Sequence, residues 1–166
     1  MKTIKGDLIK FAEEGKFNMI VHGANCFHTM KSGIAGQLAK KYPQVLEADR
    51  ENSVHGDREK LGSWSECAID TDTRMQRFVV INAYTQYTFS REKDVFEYYA
   101  FQKFLNTFSK YARKYTLSYW RRLHIGFPMI GAGLAGGDWN RISKMIEKFA
   151  EDVKDYADVT VVEYQP

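Results

Sequence analysis

Along the chain, apolar and polar residues alternate between two rhythms. Six short runs rich in β-branched and aromatic residues predict strands at 2–5, 19–24, 64–69, 77–84, 123–130 and 159–164. The third ends in the polar run Asp70, Thr71, Asp72, Thr73, which reads as a hairpin into the fourth. Between strands the period lengthens. Ile34, Leu38 and Tyr42 lie four apart on a short helix that stops at Pro43. Tyr98, Phe101, Leu105, Phe108 and Ala112 mark a second helix, for which Asp94 and Glu97 are spaced as a capping box. Trp139, Ile142, Met145, Ile146, Phe149 and Val153 mark a third. Strands alternating with helices predict a layered α/β domain, and the hairpin makes its sheet mixed.

Composition narrows the class. The 166 residues are 44% hydrophobic and 14% aromatic, enough for one sizeable core and too apolar for intrinsic disorder. Length predicts a single domain over 1–166, and no repeat or linker divides it. The charge sum of +3 is too small to argue for nucleic acid by itself, yet permits an anionic ligand. Two cysteines, Cys26 and Cys67, build no disulfide framework, which favours a reduced, cytoplasmic setting. The charged N-terminus has no apolar core of a secretory signal, and no apolar run approaches the ~20 residues of a membrane span.

Two loops carry the candidate chemistry. The first, HGANCFHTMKSGIA at 22–35, leads from a buried strand into a helix opened by Gly33. Unpaired N–H groups at such a helix start favour a phosphate, and the amide of Asn25 suits a pair of ribose hydroxyls. An ordinary strand-to-helix turn with Asn as its turn residue reads equally well from this segment alone. The second, GFPMIGAGLAGGDW at 126–139, has Gly131, Gly133 and Gly136 in the spacing GxGxxG. Glycines there let the backbone approach a diphosphate. A doubly wound dinucleotide domain is disfavoured, because only one helix and one strand follow. The alternative is a tight helix–sheet packing turn, although five glycines in 126–137 exceed what one turn needs. Both loops follow strand ends and precede helices, where open α/β sheets bind ligands.

In order along the chain, Ile4–Leu8 (IKGDL), Asn25, 30–35 (MKSGIA), 60–62 (KLG), 80–83 (VINA) and 130–139 (IGAGLAGGDW) resemble the macrodomain family of ADP-ribose-binding proteins. The resemblance spans essentially the whole chain. It is nearest the compact branch of ADP-ribose 1''-phosphate phosphatases and the terminal ADP-ribose protein glycohydrolase. It implies a three-layer α/β/α fold with a mixed sheet of about six strands. It also implies a ligand: ADP-ribose or an ADP-ribosyl derivative, with ADP-ribosylated protein or nucleic acid as further partners. Carried over residue by residue, Asp7 receives the adenine amino group and Leu8 the ring edge, while Asn25 binds the distal ribose. Gly33, Ile34 and Ala35 hold one phosphate, and Gly131, Ala132 and Gly133 with Leu134 the other; Lys31, Ser32 and Ile130 are further ligand-binding candidates beside them. Tyr164 flanks the adenine. The chain departs from the glycohydrolases in having no lysine at 82–86 and Ala135 where they carry aspartate, so a lysine adduct at C1'' is not carried over. Lys31 stands where a glycine is common and puts a cation near the distal site.

The activity this implies is hydrolysis at the distal ribose, as an ADP-ribose 1''-phosphate phosphatase. The alternatives are a hydrolase removing ADP-ribose from protein or nucleic acid, and a reader without chemistry. His28, three residues beyond Asn25, is the candidate acid/base, with a backbone-bonded loop histidine as its other reading. Asn25 and Asp138 complete the catalytic candidates, although Asp138 also fits a helix N-cap. Tyr87 and Phe89 read as a wall over the sugar, and His22 as a core residue. His22, Cys26 and His28 lack a fourth ligand at customary spacing, so no metal is expected, and no cofactor. Cys26 reads as a small packing residue. Arg121, Arg122 and their basic neighbours leave open a separate, RNA-binding reading.

Overall fold

The computed structural model describes residues 1–71, 77–89 and 94–166. Its elements run β1 (Lys2–Gly6), α1 (Leu8–Glu13), β2 (Met19–Ala24), α2 (Gly33–Lys41), α3 (Pro43–Asn52), β3 (Trp64–Asp70), β4 (Arg77–Tyr84), α4 (Tyr98–Tyr119), β5 (Leu123–Pro128), α5 (Trp139–Val153) and β6 (Ala157–Tyr164). The strands form one six-stranded sheet in the order β1-β6-β5-β2-β4-β3. Every pairing is parallel except β3 with β4, which is antiparallel. The sheet is therefore mixed, as the hairpin pattern requires. Asp72 and Thr73 of the expected turn lie outside the described residues.

Both faces of the sheet are covered, which explains why its central strands read as continuous apolar runs. Along β4, Val79, Ile81 and Ala83 join the core beneath α4 and α5, whereas Phe78 and Val80 join the core beneath α1, α2 and α3. Met19 and Val21 of β2 face the first core and Ile20 the second. The stripe on α5 is as expected: Ile142, Ile146, Phe149 and Val153 are all buried. At about 1.5–3 kcal/mol for each large apolar side chain removed from water, these two cores hold the layers together.

The short helix expected to stop at Pro43 does so: α2 ends at Lys41, and Pro43 opens α3, an element the pattern did not predict, where a fixed φ and a missing N–H are harmless. Two expectations need correction. β5 stops at Pro128, not at 130, because Pro128 and Met129 turn the chain into the glycine loop. Asp94 does not cap α4: the helix begins at Tyr98 with Glu97 as N-cap and without a side-chain capping bond. α1 has no counterpart among the expected elements, being only six residues long and capped by Asp7. No described helix is long and apolar enough to cross a membrane.

Candidate functional site

The parallel strands carry the chain toward one end of the sheet, and the loops there enclose a cleft of about 720 Å³. Its first wall is the loop from β2 to α2. Ser32 holds an extended backbone at the N-cap of α2 and makes no side-chain capping bond, so the first N–H groups of the helix are left to the cleft. Gly33 has φ +57° with open space where a Cβ would stand. Lys31, Ser32, Gly33, Ile34 and Ala35 all line this wall.

Asn25 also lines the cleft, but its amide is already occupied. Its Nδ2 donates to the Thr29 carbonyl (3.0 Å) and to Thr29 Oγ1 (2.8 Å), and its Oδ1 accepts from the Phe27 N–H (2.8 Å). The side chain thus shapes the loop, and a ribose hydroxyl would have to share Thr29's place. The Cys26 N–H donates to the Tyr87 carbonyl and the Cys26 carbonyl accepts from Gly56, which pins the loop from both sides. Burial pushes the Cys26 thiol up to about 11, so it is a packed thiol and not a thiolate.

His28 is not brought into the cleft. Its backbone is left-handed, φ +55°, and this turns the ring toward the end of α3. Nε2 lies 3.0 Å from Ser53 Oγ and 3.9 Å from Asp49 Oδ1. Ser53 also receives Lys60 Nζ (3.0 Å), and the Tyr84 hydroxyl lies 2.6 Å from Asp49 and 2.8 Å from Ser65. The expected acid/base is therefore a member of a partly buried polar network behind the loop. Burial holds its pKa below the ordinary histidine value, and Lys60 and His55 push the same way while Asp49 opposes. Asp138 is likewise outside the cleft: it caps α5 by accepting from the Asn140 N–H at 2.9 Å. Tyr87 is no wall either, since its hydroxyl donates to Gly56 and its ring packs on Phe27. Phe89 does line the cleft, 58% exposed.

The second wall is the loop after β5, and it is made almost wholly of backbone. The Gly137 N–H donates to the Gly131 carbonyl (2.7 Å), Gly136 to Gly133 (3.1 Å), and Val95 and Phe96 to Ala135. Gly131, at φ +75°, lies against the Phe96 ring so closely that a Cβ would collide with it. Gly133 has nothing within 4 Å of such a Cβ and stands open to the cleft. Ile130, Gly131, Ala132, Gly133 and Leu134 line this wall, with Leu134 exposed. The glycines thus fall into two kinds. Gly131 and Gly137 allow the loop to fold, while Gly33 and Gly133 leave room for a guest.

At the far end, the β1–β6 register sets Gly6 opposite Tyr164, which brings Asp7, Leu8 and Tyr164 to one slot. Asp7 Oδ1 caps α1 by accepting from the Ile9 and Lys10 N–H groups (3.0 and 3.1 Å). Thr85, missed from the sequence, lies on the floor between the two walls. It is 1% exposed, and its Oγ1 has no hydrogen-bond partner among the described residues. A threonine just past a strand carries no signal that would single it out. Among the described residues, no group of three or more His, Cys, Asp or Glu is placed to hold a metal ion.

A mixed sheet covered on both faces, with an anion-suited cleft between two loops at its strand ends, defines an α/β ligand-binding domain. The sequence profile of the Macro domain matches residues 21–146, and the chain belongs to that family. A 17.5 kDa protein from the tk-vs intergenic region of Enterobacteria phage T4 is 34% identical over 166 residues, covering 100% of this chain and 97% of the relative. Among solved structures, Thermosipho africanus DarTG in complex with ADP-ribose superposes with a TM-score of 0.72 at 13% identity, over 97% of this chain and 40% of that one. The macrodomain of Mycobacterium tuberculosis DarG gives 0.67 at 20% identity, over 99% and 97%. At these identities the structural likeness is one of fold.

Proposed function

We propose that the cleft binds the ADP-ribosyl group, its diphosphate lying between the start of α2 and the Gly131–Leu134 wall. The observation that carries this reading is the pairing of open glycines, Gly33 and Gly133, on two walls that line one cleft, the first opening a helix whose leading N–H groups have no side-chain cap. Such amides hold a diphosphate without a basic surface, which accords with a net charge of only +3. The DarTG neighbour carrying ADP-ribose supports the ligand. In this reading the adenine sits by Asp7, Leu8 and Tyr164, and the distal ribose by Asn25 and Thr85. Calorimetry with ADP-ribose tests it: the wild type binds, and Gly133→Glu, whose Cβ has nothing within 4 Å and whose carboxylate would oppose the diphosphate, does not. Equal affinity in the two proteins overturns the reading.

A second reading keeps the phosphatase and gives the cation to Lys31, exposed on the first wall and free to meet a phosphate on C1''. Water would attack phosphorus, the P–O bond to C1'' would break, and ADP-ribose and inorganic phosphate would leave. His28 has no part in it. Release of phosphate from ADP-ribose 1''-phosphate, lost in Lys31→Ala, supports this reading. Binding without turnover of that substrate or of ADP-ribosylated protein or nucleic acid leaves the chain a reader.

A further inference from the structure

At the end of the molecule away from the cleft, the last turns of α4 combine three features that solvation alone does not explain. The first is charge. Between Glu97 and Asp138 there is no acidic residue, while Lys103, Lys110, Arg113, Lys114, Arg121 and Arg122 all fall there. Six of the protein's 24 lysines and arginines thus lie on one helix and its exit with no acid among them. Arg122 is committed to Asp158 (2.9 Å), but among the described residues Lys110, Arg113, Lys114 and Arg121 take part in no ion pair. Of the neighbouring acids, Glu66 accepts the Tyr111 hydroxyl at 2.7 Å, and Asp152 and Asp155 share the surroundings of Tyr156 with Arg113.

The second feature is a ladder of rings. Tyr111, Tyr115 and Tyr119 recur every four residues, with centroids 6.1 and 4.5 Å apart, and Trp64 continues the row 5.3 Å beyond Tyr111. Lys110, Arg113 and Lys114 form the next stripe round the helix. The third feature is Trp120. It ends α4 in a left-handed conformation, φ 52°, where glycine or asparagine is the favourable residue, and it is 93% exposed. Neither backbone nor solvent favours tryptophan there.

We infer that this end of α4 is a binding surface for single-stranded nucleic acid. Phosphates would meet the Lys110–Arg113–Lys114 stripe and Arg121, and unstacked bases would extend the ring ladder over Tyr119 and Trp120. A duplex hides its base faces and cannot use the rings, whereas an unpaired strand offers its phosphates and its bases together. By the 1.5 Å rise of the helix, the surface lies about 18 to 33 Å along α4 from the helix start, so it stands or falls independently of ADP-ribose binding.

The test is titration of the full chain with fluorescently labelled oligothymidylate and oligouridylate, duplex DNA, and phosphatidylserine vesicles, following anisotropy and tryptophan emission. Single strands should bind, quench tryptophan emission and weaken steeply with salt. Trp120→Asn, which the left-handed backbone accepts, should lose the quench and weaken binding about five- to hundred-fold. Arg113→Glu with Lys114→Glu should lower the salt slope. Binding to either strand chemistry supports the proposal and the two arms tell which is preferred. Affinity unchanged in Trp120→Asn, preference for the duplex, or stronger binding to vesicles overturns it.

Discussion

The two walls of the cleft do the same geometric work with opposite materials. The Asn25–Ser32 loop, beyond the two backbone bonds at Cys26, is tied by side chains: Asn25 to Thr29, His28 to Ser53, and through Ser53 to Asp49, Lys60 and Tyr84. The Gly131–Gly137 loop is tied by backbone bonds and by the absence of side chains. One wall is therefore vulnerable to changes of charge, the other to the addition of a single carbon. The contrast separates residues that build the cleft from residues that leave it empty, and it predicts which substitutions alter folding, which alter binding, and which do both.

The largest effect should come from Gly131→Ala. The methyl group would collide with the Phe96 ring at a φ of +75°, combining left-handed strain with overpacking, about 2–4 kcal/mol together. Urea denaturation should show that loss, and calorimetry should show ADP-ribose binding lost with it. Gly133→Ala, two residues on, should keep stability within about 0.5 kcal/mol because nothing stands near its Cβ, yet weaken binding. Equal destabilisation by the two alanines would mean that the glycines do not divide as described.

The same division marks how far the fold and site are legible in the sequence. The strands are legible because both faces of the sheet are buried, so Phe78–Tyr84 shows no polar interruption except Asn82, whose amide is satisfied by Val45 and Ser65. The two cleft-lining loops are legible because glycine spacing survives in one dimension. α3 is not, because Pro43 signals a stop and a start equally well. His28 is misplaced by sequence reasoning for a related reason: distance along a loop says nothing about the sign of φ, and it is that sign which turns the ring from the cleft toward Ser53. Asp138 follows its capping alternative, which needs only the next two residues.

The side-chain wall should show itself in acid. The folded-state pKa of His28 lies below 6.5, chiefly because burial disfavours the imidazolium, with Lys60 and His55 repelling it and Asp49 only partly compensating. His22 is shifted the same way, by burial beside Asn82. With a depressed folded pKa, the unfolded chain binds more protons over the interval between the two values. Stability is then full above about pH 6.5 and falls as pH drops through that interval. His28→Gln, which can still reach Ser53 but does not titrate, should lose less stability than the wild type between about pH 7.5 and 5.5, while His22 retains its share. Urea midpoints at the two values measure this. An unchanged difference removes His28 from the acid response and leaves the first wall no more charge-sensitive than the second.

The smallest effect lies between the walls. A buried Thr85 hydroxyl without a partner lowers stability in the empty protein, since a desolvated polar group costs about 1–3 kcal/mol. Thr85→Val keeps the shape and removes the hydroxyl, so the urea midpoint should rise by the equivalent of about 1 kcal/mol. If the hydroxyl is held ready for the ribose, ADP-ribose affinity should fall about two- to tenfold in the same variant. The two shifts have opposite signs, which a merely structural threonine would not produce. A midpoint that falls instead would show that the Thr85 hydroxyl is packing against Gly23, where it stands 2.9 Å from the place a Cβ would take, and not waiting for a ligand.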